Sequence, residues 1–217
     1  SRDKDVVEFA KHGLKQAIAQ HPKPKEPLQT NLRPVLQTLA EYTKLTIPYL
    51  QGFSRVLELL SHWFNVQLGE KLLEHLARWT EPDKLALAKR WAPGTESLVG
   101  AAILDLFHLL PPAASKFLVQ IVLMVLRLEA VLTVAGPGVA HLGLRGPGAA
   151  STSPYREPLL KFCNKHAPTA AVYFLSQLRD PQLRKLFLIL LRADNARDLR
   201  LELSSHPERL LDATFRS

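Results

Sequence analysis

The sequence TIPYLQGFSRVLELLSHWFNVQLGEKLLEHLARW, residues 46–79, contains two successive stripes of apolar side chains. In both stripes the apolar residues recur at steps of three and four, which places them on one face of a helix. Pro48 stands in a first turn, where a missing N–H costs no hydrogen bond. We therefore predict amphipathic helices over residues 48–64 and 66–79. The apolar positions are Leu50, Phe53, Val56, Leu57, Leu60 and Phe64, then Leu68, Leu72, Leu73, Leu76 and Trp79.

The same periodicity extends in both directions from this region. Upstream, residues 5–20 form an amphipathic stripe and residues 21–27 hold three prolines, which predicts a linker. Asn31 is placed to cap a helix that runs to Ala40. Downstream, Pro93-Gly94 and Pro111-Pro112 break the pattern. The helices predicted there cover residues 80–90, 96–110, 113–134, 156–165, 167–179, 181–192, 196–203 and 207–215.

The pattern predicts an all-α protein of about twelve helices. No Asn-Gly or Asp-Gly turn joins two alternating apolar runs, so no strand pair is predicted. Helices of this length, joined by short turns into antiparallel pairs, favour an α-solenoid of HEAT-like repeats over a closed helical bundle. Prolines at helix starts support that choice: Pro34, Pro48, Pro82, Pro112, Pro158, Pro181 and Pro207.

Residues 136–154 interrupt the helical pattern. They contain five of the ten glycines and three prolines, without apolar periodicity. Such a composition is typical of an exposed loop or insert. We therefore predict HEAT-like repeats over residues 1–135, a Gly/Pro-rich loop over residues 136–154, and a continuation of the solenoid over residues 155–217.

The composition excludes several classes of protein. Hydrophobic residues make up 47% of the 217 residues, which is typical of a globular protein rather than a disordered one. The single cysteine, Cys163, excludes a disulfide-stapled scaffold and a multi-thiolate zinc site, and it suits a reducing compartment. No signal peptide is expected. The longest uncharged apolar run, residues 117–126, is ten residues long, whereas a membrane span needs roughly 20.

Catalytic and metal-binding patterns are weak in this sequence. Cys163 and His166 lie three apart, but the apolar residues around the cysteine favour a structural role over that of a nucleophile. Glu81 and Asp83 stand at a helix start, where the helix dipole accounts for them. No two histidines lie three or four apart, so no helix face offers a paired metal site. We expect no catalytic, cofactor-binding or metal-binding residue. The histidines are His12, His21, His62, His75, His108, His141, His166 and His206.

The sequence contains glycine-rich stretches, but they do not match a phosphate-binding motif. The glycines at residues 136–138 and 146–148 enclose a proline, and no Lys-Ser/Thr follows, so a flexible loop is predicted rather than a phosphate site. Kinase signatures are absent from the sequence.

The chain is basic, with 28 Lys and Arg against 20 Asp and Glu and a net charge of +8. Cations gather near the C-terminal part, but three aspartates are interleaved with them, which favours a solvated helix face over a nucleic-acid footprint. Trp63, Trp79 and Trp91 fall at predicted helix ends and are expected to wedge between units rather than stack on bases. The cluster contains Arg179, Arg184, Lys185, Arg192, Arg197 and Arg200, with Asp180, Asp194 and Asp198.

An ordered series of segments is more telling than periodicity. It comprises NLRPVL at residues 31–36, KLTIPYLQG at 44–52, LELL at 57–60, FNVQLGEKLLEHL at 64–76, FHLLP at 107–111 and SPYREPL at 153–159. This series resembles the TRRAP family, very large pseudokinase scaffolds of the phosphatidylinositol-3-kinase-related group. The resemblance covers most of the chain and is weakest over residues 136–150.

The resemblance implies that the chain is a slice of a long HEAT solenoid, upstream of the FAT and pseudokinase regions. It implies a non-catalytic scaffold in SAGA-type and related histone acetyltransferase coactivator complexes in the nucleus. Expected partners are other subunits and transcriptional activators, with no cofactor, no membrane and no direct nucleic-acid contact. The alternatives are a basic helical-repeat protein that binds nucleic acid, another HEAT-type adaptor, and, more distantly, an enzyme that uses Cys163 and His166.

Overall fold

The computed structural model of this protein describes residues 37–60, 66–81, 95–134 and 153–215, together with Gly13, Gln16, Pro34 and Lys84. Within those residues the backbone is helical or forms turns and short connections, and no strand occurs there. The predicted all-α class is confirmed. The helix predicted over residues 5–20, the linker at 21–27, the Asn31 cap and most of residues 80–90 lie outside the described residues. Residues 136–152 do too, so the division of the chain there stays a prediction.

Nine α-helices with defined bounds and three 3-10 segments lie in the described ranges, and residues 37–40 are helical as well. The 3-10 segments are Tyr42–Lys44, Leu106–Leu109 and Pro112–Phe117. The α-helices are α1 (Ile47–Leu60), α2 (Val66–Trp79), α3 (Glu96–Asp105), α4 (Leu118–Val134), α5 (Arg156–Lys165), α6 (Ala167–Ser176), α7 (Pro181–Arg192), α8 (Arg197–Ser205) and α9 (Pro207–Phe215).

The helices stack in two layers. In the first layer α1 packs on α3, α3 on α5, and α5 on α8; in the second layer α2 packs on α4, α4 on α6, and α6 on α9. Helices that follow one another link the layers, as α5 and α6 do through the single residue His166, and α7 packs against α6. Because each unit packs on the units before and after it, the arrangement is an α-solenoid, as predicted. One buried apolar cluster runs through it from Leu39 to Leu199.

The centre of this cluster is Phe107, which is fully buried in the 3-10 segment after α3. Its ring meets the rings of Phe117 and Phe162 edge to face, with both centroid separations at 6.2 Å. Phe117 lies directly before α4 and Phe162 lies in α5. Edge-to-face pairs contribute about 0.5–1.5 kcal/mol each beyond the area that they bury. One side chain therefore couples three successive helices.

The helices predicted over residues 96–110 and 113–134 are each split into an α-helix and a 3-10 segment, and the cause is the proline pair between them. In a continuous α-helix the carbonyls of Phe107 and His108 would accept from the N–H groups of residues 111 and 112, which proline lacks. The chain tightens instead, and the N–H of Leu110 donates to the carbonyl of Phe107 at 3.2 Å. Within residues 96–110 the α-helix ends at Asp105, and within residues 113–134 it begins at Leu118.

Other boundaries shift by a few residues. The prediction for residues 167–179 overruns, because α6 ends at Ser176. The next residues leave the helix so that Asp180, in an extended conformation, caps α7 by accepting from the N–H groups of Gln182 and Leu183. The helix predicted at 196–203 runs from Arg197 to Ser205. The helix predicted over residues 48–64 begins at Ile47, and the structure describes it as far as Leu60. The helices predicted at 156–165 and 181–192 are confirmed at both ends, the helix predicted at 66–79 ends at Trp79, and the helix predicted at 207–215 begins at Pro207.

Cationic side chains of α5 tie it to the preceding unit. The ammonium group of Lys165 donates to the carbonyl oxygens of His108 and Leu110, at 2.8 and 2.5 Å. Lys161 pairs with Asp105 at 2.9 Å. The carbonyl of His108, which the prolines leave without a backbone donor, therefore receives its donor from a neighbouring helix.

A polar side chain ties α5 to the following unit as well. The amide nitrogen of Asn164 donates to the carbonyl of Asn195 at 2.7 Å, and its oxygen accepts from the N–H of Leu199 at 3.1 Å. The second bond satisfies one of the free N–H groups in the first turn of α8. One helix thus fixes the position of both of its neighbours.

Two glycines provide a matched test of how closely α2 and Phe117 pack. A Cβ atom at Gly69 would lie 2.3 Å from Cε2 of the buried Phe117 ring, whereas a Cβ at Gly52 on α1 meets nothing within 4 Å. We expect Gly69→Ala to lower the free energy of unfolding by about 1–3 kcal/mol, because the ring must be displaced. Gly52→Ala should raise it by about 0.5–1 kcal/mol, since alanine is the better helix former. Urea unfolding followed by circular dichroism measures both, and a stabilising Gly69→Ala would show that Phe117 does not pack there.

The buried face of α1 provides a second test. Leu57 has no exposed surface, so Leu57→Asp would bury a carboxylate and should cost more than about 4 kcal/mol. Gln51→Asp places the same group on the exposed face of the same helix and should change stability by less than about 0.5 kcal/mol. Thermal melts followed by circular dichroism compare the two. Equal melting curves for Leu57→Asp and the unsubstituted chain would contradict the assignment of this face.

Candidate protein-interaction surface

Several grooves border the helices of the second layer in the part of the chain that the structure describes. One groove, of about 360 Å³, lies between α2 and the start of α4. A second, of about 700 Å³, lies between α6 and α9. A third, of about 230 Å³, lies between Tyr42 and the C-terminal end of α2. Grooves between parallel rows of helices are where helical-repeat proteins present extended binding surfaces.

The groove between α2 and α4 exists because of Gly69. The absence of a side chain there allows the ring of Phe117 to approach the α2 backbone. Leu73 and Phe117 supply apolar surface to the groove, and Gln120 lies on its rim. Glu70 and Lys116 close the rim with a salt bridge of 3.0 Å between exposed side chains.

The groove between α6 and α9 has an apolar lining and charged edges. Val172, Leu175 and Leu178 line it from one side, and Arg209 and Asp212 come from α9. Val172 is 54% exposed, and Leu211 and Phe215 of α9 are 55% and 85% exposed. This end of the described chain therefore has the largest amount of exposed apolar surface.

Acidic groups on α2 are balanced by nearby cations. Glu74 pairs with Lys71 at 2.8 Å and with Arg78 at 3.5 Å. Glu81, one of the two acids considered from the sequence, pairs with Lys84, whereas Asp83 lies outside the described residues. These are exposed pairs, which contribute at most about 1 kcal/mol each. They leave the outer face of α2 close to electrically neutral.

The described histidines lie apart from one another. Nε2 of His75 is 2.6 Å from the carbonyl oxygen of Leu39, and since a carbonyl only accepts, this nitrogen carries the proton. His166 is buried with its ring 4.6 Å from that of Phe162. His108 lies beside Asp105, and His206 lies between Glu202 and Glu208. His12, His21, His62 and His141 lie outside the described residues.

No group of three or more His, Cys, Asp or Glu side chains in the described ranges could hold a metal ion. In the same part of the chain, no helix combines the length and the apolar character needed to cross a membrane.

Cys163 lies on α5, and its side chain is in the hydrophobic core with no exposed surface. Burial raises the pKa of its thiol to about 12, so the thiolate that a nucleophile requires is not formed near neutral pH. His166 packs on Phe162, and burial lowers the pKa of its imidazole. The pair is arranged for packing, and its surroundings favour the neutral form of both groups.

Two basic residues near the C-terminal part, Arg184 and Arg200, donate to backbone carbonyls at the end of the preceding helix. Arg184 donates to the carbonyl of Leu178, and Arg200 donates to the carbonyls of Leu191 and Asp194. These bonds hold cations at the C-terminal ends of helices, where the helix dipole favours positive charge. The arrangement fits the predicted solvated helix face. Whether the surface meets nucleic acid stays a prediction, and we expect no direct contact.

The residues that join the units, namely Lys165, Asn164 and Gly69, were not predicted from the sequence. The lysine and the asparagine have no local pattern that distinguishes them from surface residues. Gly69 did carry a signal, because a glycine inside a strongly amphipathic helix costs about 1 kcal/mol and indicates close packing. Trp79 behaves as expected for a wedge: it is buried, and its indole N–H donates to the carbonyl of Glu96 at 2.8 Å. Trp63 and Trp91 lie outside the described residues.

The two stacked layers, the continuous core and the grooved outer face define an α-solenoid of the helical-repeat type. The model of the family described as the Tra1 HEAT repeat ring region matches residues 1–217. This chain therefore belongs to the Tra1 HEAT repeat ring family.

Curated relatives agree with this assignment. The chain is 40% identical over 193 residues to the probable transcription-associated protein 1 of Dictyostelium discoideum. The aligned region covers 88% of the chain and 4% of that relative. It is 31% identical to the SAGA complex/NuA4 acetyltransferase complex subunit TRA1 of Saccharomyces cerevisiae, over 90% of the chain and 5% of the relative. It is 29% identical to the transformation/transcription domain-associated protein of Mus musculus, over 85% of the chain and 7% of the relative. The chain thus spans only a small part of the length of these relatives.

The buried histidines predict a loss of stability in mild acid. Burial lowers the pKa values of His75, His108 and His166 below the ordinary value of about 6.5. Unfolding therefore takes up protons below that value, so stability is complete above it and falls as the pH decreases towards 5. His75→Gln removes one of these groups and keeps an amide donor. We expect urea unfolding at a series of pH values to show a shallower decline for this variant, whereas an unchanged slope would show that His75 does not contribute.

Proposed function

We propose that the protein containing this chain is a non-catalytic scaffold subunit of a SAGA- or NuA4-type histone acetyltransferase complex in the nucleus. In this proposal the chain is a segment of the HEAT ring, and its outer faces hold other subunits and receive transcriptional activators. The observation that carries the proposal is the match of the HEAT ring model to the whole chain. Relatives from two yeasts, named as SAGA and NuA4 subunits, support it.

The fold gives a physical basis for this role. A solenoid buries its core between successive units, so both outer faces remain available over its length. Here the second layer presents apolar grooves bordered by charged side chains, which is the usual composition of a protein-binding surface. Lys165 and Asn164 of α5 fix adjacent units to each other. A partner that binds across several units therefore meets a surface that is already ordered, which lowers the entropic cost of binding.

The proposal is tested by affinity purification of the tagged full-length protein from nuclear extract, followed by quantitative mass spectrometry. We expect recovery of acetyltransferase-complex subunits, and we expect nuclease treatment of the extract to leave that recovery unchanged, because the contacts are between proteins. Recovery of transport factors alone, or of partners that nuclease removes, would contradict the proposal and favour an adaptor of another kind or a nucleic-acid binder. An untagged strain provides the control for adventitious capture.

A further inference from the structure

The middle of the second layer contains an exposed apolar stripe on α4. Val119 and Leu123 are 44% and 41% exposed, although apolar side chains surround them on the same helix. Lys116 precedes them and Arg127 follows them at helical spacing, and both are exposed. From Val119 to Arg127 the stripe extends about 12 Å along the helix axis at 1.5 Å per residue. Two apolar side chains therefore lie between two cations on one line of the surface.

The stripe borders the groove between α2 and α4. Lys116 belongs to both, and the groove adds apolar surface from Leu73 and Phe117. A side chain that enters this groove would contact the ring of Phe117, which lies close to the α2 backbone because Gly69 has no side chain. The stripe and the groove together, called here the α2–α4 surface, form a continuous patch of apolar floor with a charged border.

The charge of the α2–α4 surface is positive at its border. The carboxylates on α2 already have cationic partners: Glu70 pairs with Lys116, and Glu74 pairs with Lys71 and Arg78. Among the described residues, no ion pair engages Arg127. An incoming carboxylate would find Arg127 available, and it could share Lys116 with Glu70. A second copy of this surface would instead bring like charges together.

We propose that the α2–α4 surface binds an amphipathic helix of another polypeptide, whose apolar face is flanked by carboxylates. This inference rests on the proposed scaffold function and names one of its docking sites. Apolar side chains of the incoming helix, spaced by three and four residues, cover Val119 and Leu123 and enter the groove beside Phe117. Its carboxylates pair with Arg127 and Lys116. This is the helix-in-groove mode of recognition, in which apolar anchors provide affinity and the charged border selects the partner.

The test uses purified full-length protein and two synthetic peptides of about 16 residues, long enough to lie along the stripe. Both peptides carry leucines at i, i+4 and i+7 and a photoreactive benzophenone beside the central leucine. One has glutamates on the rest of its surface, and the other has lysines at the same positions. Fluorescence anisotropy measures the affinity, and mass spectrometry of the photo-crosslinked products locates the site. We expect the glutamate peptide to bind at least about tenfold more tightly than the lysine peptide and to crosslink to α2 or to residues 116–130.

Variants of the full-length protein separate this site from any other. Leu123→Asp should lower the affinity for the glutamate peptide by about tenfold or more, because it places a carboxylate where an apolar anchor binds. Leu188→Asp is the matched control, since Leu188 is 46% exposed but lies on α7, and it should leave the affinity unchanged. Arg127→Glu should reduce the preference for the glutamate peptide, with the crosslink position unchanged.

Three results would overturn the proposal: equal affinity for the two peptides, crosslinks outside α2 and residues 116–130, or equal loss from Leu123→Asp and Leu188→Asp. Failure of both peptides to bind would overturn it too, whether the surface lacks this affinity or another part of the same polypeptide already covers it. None of these results changes the recovery of acetyltransferase subunits, so failure here is distinct from failure of the scaffold function.

Discussion

The described structure depends on the contact of Phe107 with two other aromatic rings. Pro111 and Pro112 prevent α3 from continuing, so the chain tightens into 3-10 turns on both sides of the break. Those turns bring Phe107 and Phe117 edge to face, and Phe162 of the next unit meets Phe107 from α5. If the helix ran through the break, Phe107 and Phe117 would have a different spacing along the axis and could not share this centre. The proline pair is therefore a packing device as well as a helix stop.

The broken helix creates a second requirement, which the neighbouring unit meets. The prolines remove the backbone donor that the carbonyl of His108 would otherwise have. Lys165 supplies it and also reaches Leu110. Burial lowers the pKa of Lys165, but its ammonium group still carries the charge near neutral pH because the ordinary pKa is so high. Since the donor comes from a different helix pair, neither pair is complete without the other, and rigidity between units follows.

That rigidity extends to the outer face of the second layer. The outer face of the second layer holds grooves whose walls come from successive helices, so their widths are set by the same contacts that join the units. Gly69 illustrates the coupling, because the close approach of Phe117 to α2 both fills the core and forms the groove floor. In such a protein the shape of the binding face is a consequence of core packing. A change in the core should therefore alter binding without touching a partner.

The amino-acid sequence by itself determined the helices, their order and the all-α class, because apolar spacing and proline position are local properties of the chain. It also indicated that Cys163 is structural, since its apolar neighbours are visible in the sequence. The ends of α3 and α6 have local causes, namely the proline pair after α3 and the Asp180 cap of α7, and only the tertiary structure decided which side chains join the units. The contacts of Lys165 and Asn164 join residues more than 30 positions apart, and no local pattern encodes such a pairing. The outer surface was undetermined for the same reason. The apolar pattern of α4 does not distinguish the exposed Leu123 from core residues, because only the packing of the neighbouring helices decides which face of α4 remains exposed.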